Sequence, residues 1–254
     1  MKTLTAGLAV LFAAALLPSF ALAQAADAAG TVTIDLTGGG AMTERVVQIV
    51  ALITILSLAP SILMMMTCFT RIVVVLSLLR TAIGIHQSPP NSVIVSLALF
   101  LTFFVMAPTF TAVYGDAVEP LIAEQITADE AMTRAAVPLR AFMSAHTRPE
   151  DLGLFIGMAQ IEAPENADAT PLRVLVPAFM ISELKRAFEI GFLLFVPFLV
   201  IDMAIASILM SMGMMMLPPI VISLPFKLIF FVLVDGWRMV AGSLVGSYGT
   251  AGAP

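Results

Sequence analysis

The 254-residue chain has one cysteine, Cys68, two histidines, His86 and His146, one tryptophan, and charge at only 11% of its positions. Each scarcity removes a class of reading. A lone cysteine permits no intramolecular disulfide, and in an apolar run it is more often a small core residue than a reactive one. Two histidines and one thiol are too few ligands to suggest a metal centre, and they read as exposed or interfacial polar residues. Catalytic motifs are missing as well: there is no HExxH, no paired CxxC, no GxSxG and no phosphate loop. Twelve Lys and Arg against seventeen Asp and Glu give a formal charge of −5, which offers no basic face to a phosphate backbone and argues against nucleic-acid binding. Neither a catalyst nor a cofactor is expected.

What the chain has in excess is apolar surface. Sixty per cent of its residues are hydrophobic and the mean hydropathy is +1.04, well beyond the roughly 45–50% apolar composition of soluble domains. An integral membrane or membrane-complex protein is expected, all-α, built from apolar helical hairpins. Residues 1–23 read as a cleaved signal peptide, with Lys2, an apolar core from Leu8 to Leu17, and Ala21-Leu22-Ala23 before the cut. Residues 24–45 form a flexible leader with at most a short strand at Val32 to Leu36. A first hairpin occupies 46–114, with uncharged stretches Val46 to Cys68 and Val93 to Tyr114, each long enough for a span of about 20 residues. Its connection, Thr70 to Asn91, carries Arg71 and Arg80 without an acid and is expected on the cytoplasmic side. Residues 115–186, with eleven acidic and six basic side chains, read as a soluble helical region on the outer, periplasmic side. A second hairpin fills 187–254, through Ala187 to Met212 and Ile220 to Val234.

These apolar segments are not clean spans. Pro60, Pro108, Pro197, Pro218, Pro219 and Pro225 interrupt them, and Glu189, Asp202 and Lys227 lie inside the second hairpin, where a charge facing lipid is costly. Such helices should face protein. Glu189 and Asp202 are thirteen positions apart and point away from each other on a helix, so they form no acid/base dyad. Ser207 and Ser211 make a small-xxx-small step that suits close helix approach. The turn of this hairpin is unusual: Met210 to Pro219 holds five methionines and Gly213 where a polar turn is the norm. Methionine is flexible and polarisable and re-packs against changing surfaces, so the turn suggests either a soft seal or a buried apolar contact.

Longer motifs carry a resemblance. PAFMISELKRAFEIGF, Pro177 to Phe192, continues through PFLVIDMAIASILMSMGMMMLPP, Pro197 to Pro219, and SLPFKLIFFVLVDGW, Ser223 to Trp237. With FTRIVVVLSLLR, Phe69 to Arg80, QSPPN, Gln87 to Asn91, and LALFLTFFVMAPTF, Leu97 to Phe110, the chain from Val46 to Tyr248 resembles the FliP family of flagellar type III export-gate proteins and their virulence-type counterparts. The acidic stretch Glu162 to Ala169 varies in length within such proteins.

The resemblance implies a core subunit of an export gate that passes unfolded flagellar subunits across the cytoplasmic membrane. It implies about five copies of the chain in a right-handed helical assembly with FliQ-like and FliR-like subunits, alongside FlhA-like and FlhB-like components, and a core raised largely above the bilayer. Met214, Met215 and Met216 are then expected to form a pore gasket. Glu183 and Lys227 are expected to pair between adjacent subunits, the alternative being that Glu183 pairs locally. Phe142 and Phe155, on either side of the turn at Arg148 to Asp151, are candidates for an outer constriction or for plain core. Arg71 is expected to anchor the cytoplasmic end on carboxylates or on lipid phosphate. A small-solute transporter or ion channel using Glu189, Asp202 and Lys227 is the competing class, and a structural membrane scaffold is a third.

Overall fold

The computed structural model describes residues 41–85, 87–161, 170–214 and 217–249. Within them the chain is all-helical. The elements are α1 (Ala41–Met65), α2 (Phe69–Ile83), α3 (Asn91–Val113) running through a π-helical turn (Tyr114–Val118) into α4 (Glu119–Ile122), α5 (Ala128–His146), α6 (Pro149–Ala159), α7 (Leu172–Ser211), α8 (Pro219–Leu233) and α9 (Gly236–Gly249). The chain divides into two compact units inside α1, at 55/56; the second, from Leu56 onward, contains the core described below. The expected signal peptide, the strand at Val32 to Leu36, the stretch Glu162 to Ala169 and His86 lie outside the described residues.

The core is organised on α2. Ile72, Val75, Leu76, Leu79, Ala82 and Ile83 recur at helical spacing and are all buried, each large aliphatic among them worth about 1.5–3 kcal/mol when withdrawn from water. α2 packs on α7 and α3, and Ile94, Ala98 and Met106 of α3 with Ala187 and Phe198 of α7 complete the cluster. The contact with α7 is close because Gly191 lies under Leu78; a Cβ there would come 2.3 Å from its Cδ1. Thr70 to Asn91 was expected as the cytoplasmic-side connection of the first hairpin, and most of it forms this buried helix. Its two arginines break the apolar run without exposing it: Arg71 turns into the core, and Arg80 reaches forward to the Pro89 carbonyl at 3.2 Å and Asn91 Oδ1 at 2.6 Å, tying the end of α2 to the start of α3.

Among the described residues two helices are long and apolar enough to cross a membrane, Asn91–Ile122 and Leu172–Ser211, and α8 with α9, bent by 62°, would make a third. The expected spans Val93 to Tyr114 and Ala187 to Met212 fall in the first two, and Ile220 to Val234 falls largely in α8. Val46 to Cys68 occupies most of α1 and the turn after it. α7 has 40 residues, about 60 Å at 1.5 Å per residue, twice the roughly 30 Å of a hydrocarbon core. The boundary expected at 186/187 therefore lies inside one continuous helix, whose first half packs with α5 and α6.

The α5–α6 pair has clear local causes. Thr127 caps α5, its side chain accepting from the Glu130 N–H at 3.3 Å, with Asp129 and Glu130 in the first turn. α6 opens on Pro149 with Glu150 and Asp151 behind it, residues favoured at a helix start. The turn between them is pinned to α7 by Ser182, whose Oγ accepts the Arg148 N–H at 3.0 Å and lies 2.7 Å from Asp151 Oδ2.

Candidate functional site

Arg71, near the start of α2, and Glu183, on α7, are 1% and 0% exposed. The guanidinium grips the carboxylate with both prongs: Nε donates to Oε2 at 2.9 Å and Nη2 donates to Oε1. Nη1 donates to Ser247 Oγ at 3.1 Å, and the Tyr248 hydroxyl donates to Glu183 Oε2. The guanidinium carbon lies 3.9 Å from the centre of the Tyr248 ring, close enough for a cation–π contact. Helices α2, α7 and α9 thus meet on one buried ion pair. Desolvation offsets much of such a pair's attraction, but its planar, two-pronged geometry fixes register, and a lysine could not reproduce it.

A second pair holds the far half of α7. Lys227 of α8, almost fully buried, donates to Asp202 Oδ2 at 2.6 Å and to the Ala82 carbonyl at 3.4 Å. Ser223 donates to the other oxygen, Asp202 Oδ1. Ala82 is in the last turn of α2, where a cation also complements the helix dipole. Asp202, Met203, Ala206, Pro219 and Ile220 line an open cavity of about 340 Å³ between α7 and the start of α8.

The methionine turn follows from the chain's own hydrogen bonds. Gly213 takes φ +72°, its N–H donates to the Met210 carbonyl at 3.1 Å, and the Met214 N–H donates to the Leu209 carbonyl at 3.0 Å. This is the Schellman closure of a helix, which favours glycine at that position. Pro218 then precedes α8, whose first residue is Pro219. Met210, Met212 and Met214 are exposed; Met215 and Met216 lie outside the described residues.

The structure brings the expected residues together differently. Glu183 was expected to meet Lys227 of an adjacent subunit, yet each has an ion partner in its own chain, Arg71 and Asp202. Glu183 is fully buried among these partners, so within this fold no surface of it is open to a neighbour's lysine. Of the two partners expected for Arg71, the structure provides the carboxylate: Glu183, in the interior. Glu189 is exposed on α7. Phe142 packs against Phe179, Tyr248 and His146, and Phe155 is half-buried on α6. His146, expected as an exposed or interfacial polar residue, is 5% exposed. Ser182, Ser223, Ser247 and Tyr248 were missed altogether; the only hint was that acids and bases inside apolar helices must find partners.

A model of the FliP family matches residues 52–244, which include Arg71, Glu183, Asp202, Lys227 and the methionine turn. The chain belongs to the FliP family. It is 62% identical to the flagellar biosynthetic protein FliP of Caulobacter vibrioides over 236 residues, covering 93% of this chain and 87% of that protein. It is 56% identical to the protein of that name in Bacillus subtilis over 202 residues, covering 80% and 91%, and 51% identical to that of Aquifex aeolicus over 217 residues, covering 85% and 91%. The FliP match ends just before Ser247 and Tyr248, so the α9 contacts to the Arg71–Glu183 pair lie at its margin.

Removing one member of the buried pair should therefore cost far more than removing both. Arg71→Met strands a carboxylate and is expected to destabilise the chain by about 3–5 kcal/mol, whereas Arg71→Met with Glu183→Met should recover most of the loss. Thermal unfolding of the detergent-extracted protein measures this, and losses that simply add would contradict the pairing.

Proposed function

We propose that the chain is a core pore-forming subunit of the flagellar type III protein export gate, passing unfolded flagellar subunits across the cytoplasmic membrane. The observation that carries this reading is the 62% identity, across 93% of the chain, to a protein named for flagellar biosynthesis. Several physical features support it. α3, α7 and α8 present Phe100, Phe103, Phe104, Phe188, Phe192, Leu199 and Phe226 to the outside, more apolar surface than a monomer in water tolerates, and this suits lipid together with neighbouring subunits. Asp202 of α7 and Lys227 of α8 are matched to each other, with Ser223 on the second carboxylate oxygen, which favours a packed assembly over the ion path of a transporter.

In this reading about five copies assemble with FliQ-like and FliR-like subunits, with FlhA-like and FlhB-like components alongside, in the inner membrane at the flagellar basal body. The α5–α6 region lies on the periplasmic side. Met214, Met215 and Met216 of each copy form the gasket. The role is that of a conduit, without a catalytic step.

Two measurements test the proposal. Native mass spectrometry of the chain extracted with its FliQ-like and FliR-like partners should give one large particle containing several copies of it; a monomer that ignores both partners would refute the assembly. Alanine at Met214, Met215 and Met216 together should raise leakage of ions or small solutes through the assembled gate, and unchanged leakage with normal export would refute the gasket.

A further inference from the structure

His146 ends α5 in an unusual setting. Nδ1 lies 2.8 Å from the Phe142 carbonyl; a carbonyl only accepts, so Nδ1 carries the proton and Nε2 presents its lone pair. That Nε2 is buried and has no hydrogen-bond partner among the described residues. The imidazole packs against two aromatic rings, 4.6 Å from Phe142 and 5.1 Å from Tyr248 between centroids, and those two rings are 6.1 Å from each other. A neutral ring fits this slot at modest cost. A protonated ring would bring a second N–H into a place with no acceptor for it.

We infer that His146 is a proton-sensitive latch: neutral, it seats the end of α5 against Phe142 and Tyr248, and protonated it must be hydrated, releasing that end and the turn into α6. The charged and titratable groups around it do not rescue the cation. From α7 come Glu183 and Arg186, from α2 Arg71, and from α9 Tyr248. Glu183 is already occupied by Arg71 and Tyr248, and Arg71 also lies over the Tyr248 ring. Arg148 and Asp151, in the turn itself, pair with each other at 3.7 Å. α3, also packed on α5, carries no ionisable side chain from Asn91 to Val113, and Asp116 of the π-helical turn lines a cavity with Arg134 and Val137 nearer the other end of α5. Burial holds the imidazole below its ordinary value, the Phe142 carbonyl opposing more weakly.

The direction follows by linkage. The released state, with a hydrated ring titrating near its usual value of about 6.5, binds more protons than the latched state. Release is therefore favoured as pH falls below about 6.5, by up to about tenfold per pH unit for one proton until the latched ring also titrates. Above that pH the latch holds fully. This inference concerns the fold of the α5–α6 turn and does not depend on what the assembly transports.

The test is amide hydrogen exchange of the full chain, extracted with its partners, over residues 143–152 at pH 7.5 and pH 5.0, expressed as protection factors. The wild-type segment should lose about tenfold or more of its protection at pH 5.0. His146→Phe, which keeps the ring stacking and cannot titrate, should keep its protection at both. Wild-type protection that does not change, or an equal fall in His146→Phe, would overturn the latch. Should His146→Phe fail to assemble, NMR titration of ring-labelled histidine in the wild type and in His86→Gln decides: a His146 ring titrating below its ordinary value supports the latch, and one titrating at it overturns the latch.

Discussion

One bidentate ion pair, Arg71 with Glu183, ties the interior together. Its partners are 112 positions apart in sequence, yet they bring the most buried helix, α2, onto the longest one, α7, and draw the last described helix, α9, onto the same spot through Ser247 and Tyr248. An uncompensated charge at either position would be costly enough to exclude most other arrangements of these helices. Specificity of packing, more than net stability, is what such a pair contributes. The aliphatic side chains of α2 supply the driving force, and the Arg71–Glu183 pair selects one arrangement among the many that apolar helices allow.

The rest of the molecule reads as a consequence. With α2 fixed on α7 at Gly191, the two halves of α7 acquire different tasks. The first half supports α5 and α6 through Ser182 and the aromatic group around Phe142. The second half projects as an apolar rod paired with α8 through Asp202 and Lys227 and ends in the methionine turn. At 40 residues the helix is about twice as long as one hydrocarbon core is thick.

Much of this was legible in the sequence, and the failures have identifiable causes. The helical class, the long apolar segments and the break before Pro149 could be read from composition, run length and helix-start residues. The glycine in the methionine turn likewise foreshadowed its helix closure. α2 was not legible as core, because hydropathy averages Arg71 and Arg80 into a polar connection while the periodicity of Ile72, Val75, Leu76 and Leu79 says otherwise. α7 was cut in two for the same reason: Glu183, Lys185, Arg186 and Glu189 look like a boundary although the backbone runs straight through them. Partner choice was the least legible level. Glu183 and Lys227 were both recognisable as charges in need of partners, but no local rule connects Glu183 to Arg71 or Lys227 to Asp202, and His146 gave no sign that it would be enclosed by rings from two helices.

The most direct measurement is a cryo-electron microscopy map of the extracted assembly that resolves side chains around α7. The account predicts Arg71 on Glu183 and Tyr248, and Lys227 on Asp202, within every copy of the chain, with neighbouring copies meeting through apolar surface. A map in which Glu183 instead pairs with Lys227 of the adjacent copy, and Arg71 faces lipid or solvent, would contradict it.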